Sequence, residues 1–442
     1  MHLIQEMVRR QKTGCHCGIY SCCSANEYVL RAVMGRAKAH GVPALVEATA
    51  NQVNQFGGYT GMKPGDFHAY CTGLARRAGL PDDALILGGD HLGPLTWSSL
   101  GEAEAMAHAG DLVQEYVLAG FTKIHIDTSM RLGSDADGER LGDDVIAQRG
   151  AILCAAAENA FSQRQKEYPF AQAPVYVIGS EVPIPGGAQE AGESVCVTYH
   201  EDARRTVAAF ESAFGALGLQ NAWGRVVALV VQPGVEFGDR EVFEYDRGRA
   251  RLLTAVLRDY PSLVFEGHST DYQPMGKLRE MVEDGIAILK VGPALTFAFR
   301  EALCSLERIE TALFEGRGVW LSGFRATLET AMLESPGDWQ KHYHGDGVSQ
   351  RFSRLYSFSD RVRYYLPLPA VKASIGRLVG NFEGCRIPLP LLSQFMPSQY
   401  KKIRSGQLEN SADALILDRI GECIDDYLFA TLPAAKVPSL SY

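Results

Sequence analysis

Leu85-Ile86-Leu87-Gly88-Gly89-Asp90-His91 is a short apolar run that ends in two glycines, an acid and an imidazole. Such a run suits a strand buried on both faces, and its polar tip suits a strand that delivers side chains to a site. Seven further segments repeat the design. They are Gly18-Ile19-Tyr20-Ser21, the run from Ala44 to Thr49, the run from Lys123 to Ser129, the run from Val175 to Glu181, the run from Val226 to Gln232, the run from Leu263 to Asp271, and the run from Ile288 to Ala294. Helical patterns separate them. Between Glu102 and Leu118, for example, Ala105, Ala109, Leu112, Val113, Tyr116 and Val117 form one apolar stripe that Gly120 ends. Buried parallel strands alternating with helices, with acids, histidines and glycines at the strand tips, predict an α/β fold, the (β/α)8 TIM barrel, with its site on the C-terminal face.

A minimal barrel needs about 250 residues, and this chain has 442. The alternation stops near residue 330, with the break between Gly316 and Ser335. The reading is therefore a barrel over 1–330 and a helical C-terminal extension over 331–442, packed on the barrel or on a neighbouring subunit. Residues 3 to 12 read as a short amphipathic helix leading into the first strand. With 46% hydrophobic residues the chain can bury its core without staples, and its ten cysteines lack paired C-x-x-C spacing, so they read as reduced thiols. A spread net charge of -9 gives no footprint for nucleic acid or an anionic membrane, so any phosphate on a substrate must be met locally. The N-terminus has no apolar signal region and no run approaches about eighteen apolar residues, which predicts a cytoplasmic protein. Self-association is expected by analogy with other barrels that carry helical extensions.

The strand tips hold the candidate chemistry. At the third, His91 reads as a divalent-metal ligand and Asp90 as a proton carrier, or else Asp90 caps a helix and His91 is a bonded core histidine. The seventh repeats the pattern in Glu266-Gly267-His268-Ser269-Thr270-Asp271, which adds a second imidazole, His268, and another acid, Asp271. Glu181 at the fifth tip adds a carboxylate, or ties down its own Pro/Gly-rich loop. Two histidines and a carboxylate with open positions make a Lewis-acid site for Zn, Mn or a similar ion. His125 and Asp127 point to one side of strand four. Asp127 lies nearer the tip and so nearer substrate, whereas such a pair also suits a buried network. Gln232 reads as a metal or sugar contact, or as a brace for its loop.

Lys290 and Gly292, where strand eight enters a helix, read as a phosphate site made with free N-H groups. Lys290 reads equally as a buried ion-pair partner or a Schiff-base lysine. After strand two, Asn51, Gln52 and Gln55 stand in an amide-rich and glycine-rich segment suited to a hydroxylated ligand, or to a well-bonded turn. In the extension, Ser359-Asp360-Arg361-Val362-Arg363 reads as a helix whose arginines meet acids, with Arg361 or Arg363 reaching a phosphate as the alternative.

These strings resemble a known family. The run from Asn51 to Met62, Gly88 to Pro94, Lys123 to Asp127, Val230 to Phe237, His268 to Gln273 and Leu289 to Ala302 are similar to the GatZ/KbaZ family, the non-catalytic subunit of class II tagatose-1,6-bisphosphate aldolase. The resemblance runs from about residue 15 to 425. It includes relatives that act as 4-epimerases of tagatose 6-phosphate and fructose 6-phosphate. It implies Asp90 as proton carrier beside metal ligand His91, His268 and Glu181 as further ligands, and Gly292 near phosphate. Two histidine-glycine tips expected of a catalytic class II aldolase are missing, and Glu181 and Gln232 are the substitutes. The function this implies is a metal-dependent 4-epimerase of phosphorylated ketohexoses working by retro-aldol cleavage. The alternatives are a non-catalytic partner of a class II aldolase catalytic subunit, and an aldolase itself.

Overall fold

The computed structural model describes residues 1–136, 140–180 and 195–433. Eight parallel strands close into a barrel: Ile19–Cys22, Ala44–Thr49, Leu85–Leu92, Lys123–Ile126, Val175–Ile178, Val226–Val231, Val264–Gly267 and Ile286–Val291. Each pairs with its neighbours in sequence, and the eighth returns to the first with Ile19 opposite Ile288. A helix follows every strand, as the apolar stripes predict. Glu102–Ala119 buries the six stripe residues named above and ends at Gly120, whose φ of 100° is left-handed. The helix after strand eight runs Pro293–Phe314.

Strand alternation divides the barrel interior into tiers. Ile19, Leu45, Ile86, Val175, Val264 and Ile288 form the lower, apolar tier. The N-terminal helix Leu3–Arg10 plugs this end with Ile4 and Val8. Two residues further along the same strands the interior turns polar, and the site is built there.

Past residue 330 the chain is helical, and its last described helix, Ala412–Thr431, lies on the barrel. It packs against the helices Glu27–His40, Met275–Glu283 and Pro293–Phe314 and reaches strand one. Its Ile416, Ile420 and Ile424 are fully buried. Gly18 donates its N-H to the Thr431 carbonyl at 2.9 Å, so the extension covers the seam where the barrel closes. No helix among the described residues is long and apolar enough to cross a membrane.

Candidate active site

Above the apolar tier, Glu47, Lys123, Glu266 and Lys290 project inward from strands two, four, seven and eight. Lys123 Nζ lies 2.8 Å from a carboxylate oxygen of each of Glu47 and Glu266, and Lys290 Nζ lies 2.9 Å from Glu47 and from Asp90. All five side chains are buried. Gly88 makes room for them, because a methyl group there would stand 2.7 Å from Glu47 Cγ. Of the readings open for Lys290, the ion pair is the one realised. Burial works against its charge, but Asp90, Glu47 and Glu266 hold its ammonium well above the ordinary lysine range.

The next tier gathers Asp90, His91, His125 and His268, whose ligand atoms all lie within 4.8 Å of one another. Asp90 and His91 are adjacent yet both face inward, because His91 takes a left-handed φ of 50° and the strand register shifts between Gly89 and Leu92. Each imidazole is steered by an acid. His91 Nδ1 meets Asp127 Oδ2 at 2.8 Å, His268 Nε2 meets Glu266 Oε1 at 3.0 Å, and His125 Nδ1 meets Asp90 Oδ1 at 2.9 Å. Burial opposes ionisation of Asp90, but Lys290, His91 and His125 together hold its carboxyl well below the usual range. His125 Nδ1 also accepts the His91 backbone N-H at 3.1 Å, and its Nε2 is buried with no hydrogen-bond partner among the described residues.

An unpartnered ring nitrogen inside this cluster is what a bound cation would complete. Burial pushes the His268 imidazole down to about 4, so it is neutral and able to coordinate near pH 7. In the ion-paired core four carboxylates (Glu47, Asp90, Asp127 and Glu266) face two ammonium groups (Lys123 and Lys290). Against the effect of burial, Asp90 and Asp127 hold the His91 imidazole above its ordinary value, so it carries part of the balancing charge and a bound cation would offset the rest. Carboxylates that orient metal-binding imidazoles through their second nitrogen are the usual outer shell of such sites. Donor set, charge and orientation all fit a divalent metal held by Asp90, His91, His125 and His268.

The cavity above is bordered by Asn51, Gln52, Asp90, His91, His268, Asp271, Lys290 and Gly292, all anticipated from sequence, together with Tyr59, Arg363 and Tyr364. Gln52 is already committed, accepting from Thr49 N-H at 2.9 Å and donating to Cys23 O. Asp271 Oδ1 accepts the N-H groups of Gly292 and Ala294 at 3.0 and 2.8 Å, so the helix terminus expected to receive phosphate is capped by a carboxylate. Burial pushes the Asp271 carboxyl up to about 6 despite those donors.

Other expectations are corrected. Gln55 does not border the cavity; its amide donates to the His108 carbonyl at 3.0 Å. Gln232 braces its own turn, with Oε1 accepting from Gly234 and Val235 N-H at 2.8 and 3.0 Å. Asp127 holds His91 rather than facing the cavity. Arg361 is buried beside the site but does not border it, whereas Arg363 does. The expected helix there is a single turn, Arg361–Tyr364, and neither arginine has an acidic partner among the described residues. Glu181 lies outside the described residues. The fourth member of the cluster, His125, read from sequence as network or site, shares a side of strand four with Asp127. That alternation was the available signal for it.

The family model for the D-tagatose-1,6-bisphosphate aldolase subunit GatZ/KbaZ-like family matches residues 4–432. A crystal structure described as "a probable tagatose 6 phosphate kinase" from Sinorhizobium meliloti 1021 is 43% identical, with a TM-score of 0.85 over 93% of this chain and 100% of that one. A fructose-bisphosphate aldolase from Campylobacter jejuni is 14% identical, with a TM-score of 0.44 over 86% of this chain and 93% of that one.

Proposed function

The chain belongs to the GatZ/KbaZ-like family of D-tagatose-1,6-bisphosphate aldolase subunits, and from that premise we propose that it is a metal-dependent 4-epimerase interconverting tagatose 6-phosphate and fructose 6-phosphate. The observation that carries the reading is the convergence of three buried imidazoles and Asp90 on the floor of an open cavity. A partner that only stabilises another subunit has no use for three buried imidazoles, each held by a carboxylate, gathered beneath a cavity.

In a 2-ketohexose C4 is not adjacent to the carbonyl, so enolisation alone does not invert it. Cleavage does. The C4 hydroxyl gives up its proton, the C3–C4 bond breaks, and its electron pair passes to C3 and is delocalised onto the C2 oxygen. The three-carbon aldehyde turns its other face, the bond re-forms, and the proton returns to O4. A divalent ion, when bound, supplies Lewis acidity at the ketose oxygens.

The protein's own groups divide the remaining work. Asp90, held ionised by Lys290, is a weak base and suits holding the cation. Asp271, with its carboxyl raised to about 6 at the cavity wall, is tuned to exchange a proton near neutral pH, and we assign it the O4 proton. Asp127 and Glu266 fix two of the imidazoles. Asn51 lines the wall where sugar hydroxyls would lie.

The test is incubation of the isolated chain with fructose 6-phosphate, with chelator and with added Zn or Mn, followed by sugar analysis. Tagatose 6-phosphate that vanishes with chelator supports the reading, and His125→Ala should then reduce bound metal from about one per chain toward none. No product under any metal condition favours the second reading, suggested by the family description: a partner of an aldolase catalytic subunit.

A further inference from the structure

The cavity needs a place for an anion, and its obvious candidate is taken. At the helix after strand eight, the N-H groups of Gly292 and Ala294 are bound to Asp271, whose carboxyl group would stand against a phosphate. Lys290 points into the core ion pairs.

The unmatched positive charge lies across the cavity. Arg361 is 7% exposed, makes no ion pair with any described residue, and its Nε has no hydrogen-bond partner. Arg363 borders the cavity, and its guanidinium donates only to neutral oxygens: the Ser359 carbonyl, the Asp360 carbonyl at 3.0 Å and the Tyr364 hydroxyl at 3.2 Å. The two guanidinium groups stand 5.9 and 4.7 Å from the Tyr364 ring centre. Asp239 and Asp360 act on these arginines from a distance, but neither guanidinium is ion-paired with a described residue, and two such neighbours that have lost water repel each other unless an anion completes the site. A phosphate monoester offers the planar fork of arginine the paired oxygens it binds best.

The turn carrying these arginines is fastened to the barrel. Asp360, directly before them, takes a left-handed φ of 44°, which costs energy for a non-glycine residue. Its buried carboxylate accepts from Arg300 Nε at 2.9 Å and Thr296 Oγ1 at 2.6 Å, both on the helix Pro293–Phe314. The strained turn is thus pinned to the element that follows strand eight.

We propose that Arg363, with Arg361 behind it, binds the phosphate of the substrate, so that this subsite comes from the C-terminal extension rather than from the barrel loops. The proposal rests on the sugar-phosphate reading of the cavity and adds an orientation: the phosphorylated end lies toward Arg363 and the reacting carbons toward the histidines.

Calorimetric titration of the metal-loaded chain with fructose 6-phosphate and with fructose tests it. Wild type should bind the phosphorylated sugar at least about tenfold more tightly, the scale of charge-assisted hydrogen bonds. Arg363→Gln should bring the two sugars to near parity while leaving fructose affinity unchanged, and Arg363→Lys should restore part of the difference. A merely structural role would weaken both sugars together. A phosphate preference that survives Arg363→Gln, a loss shared by both sugars, or no preference in wild type overturns the proposal. The epimerase reading fails separately: tight, Arg363-dependent binding without turnover removes the activity and keeps the subsite, whereas turnover with KM unchanged in Arg363→Gln does the reverse.

Discussion

Asp271 shows how one side chain takes two properties from its surroundings. Its oxygen caps the helix after strand eight, while burial keeps its proton on until about pH 6. A carboxyl group raised in the folded state contributes stability that is fully present below the unfolded value near 3.8 and is lost as pH rises through the folded value. Asn keeps the cap, because its carbonyl accepts the same two N-H groups, and removes the charge. Asp271→Asn should therefore gain stability relative to wild type between pH 4 and pH 7, by on the order of 2–3 kcal/mol at neutrality, while its turnover falls. Urea unfolding at both pH values measures the first effect. A stability difference that does not change with pH would mean that Asp271 is not the raised acid.

Strand three is the element on which the site depends most, and its sequence was also the most legible. Alternation puts every second side chain of a barrel strand on one side, and the polar tips of the runs marked Asp90 and Lys290, but spacing alone did not say which side is the interior. His91 breaks that period, and only the polar tip of the run marked it. What spacing could not supply was partners. Whether Gln232 faces an ion or its own turn depends on where Gly234 and Val235 fold back, and whether Arg361 or Arg363 borders the cavity depends on a single left-handed residue. Gly93 carries a further consequence of strand three's path. A methyl group there would stand 1.7 Å from the Asp127 carbonyl oxygen, a backbone atom that cannot step aside. Gly93→Ala should push strand four outward, disturb Asp127 and His91, and cost roughly 3 kcal/mol or more. Denaturant unfolding reads the loss, and a variant as stable as wild type would contradict the close approach.

At the scale of the molecule, the extension is part of the barrel's wall. Tyr427 donates its hydroxyl to the Thr270 carbonyl at 2.8 Å, and Arg279 on the helix before strand eight donates to the Leu432 carbonyl at 2.7 Å. With Ile416, Ile420 and Ile424 the last helix buries side chains worth roughly 1.5–3 kcal/mol each. A chain ended at residue 330 should therefore be recovered in aggregates; a soluble, cooperatively melting product would show that the barrel stands alone. The same seam sets an order of events during synthesis. Tyr20 on the first strand rests against Tyr427, with ring centres 5.9 Å apart, so its cover is made long after the strand itself. At about 5–20 residues per second, the ribosome leaves that face bare for on the order of tens of seconds. A nascent chain of this protein is exposed to sticking and to chaperone capture at the barrel's first strand.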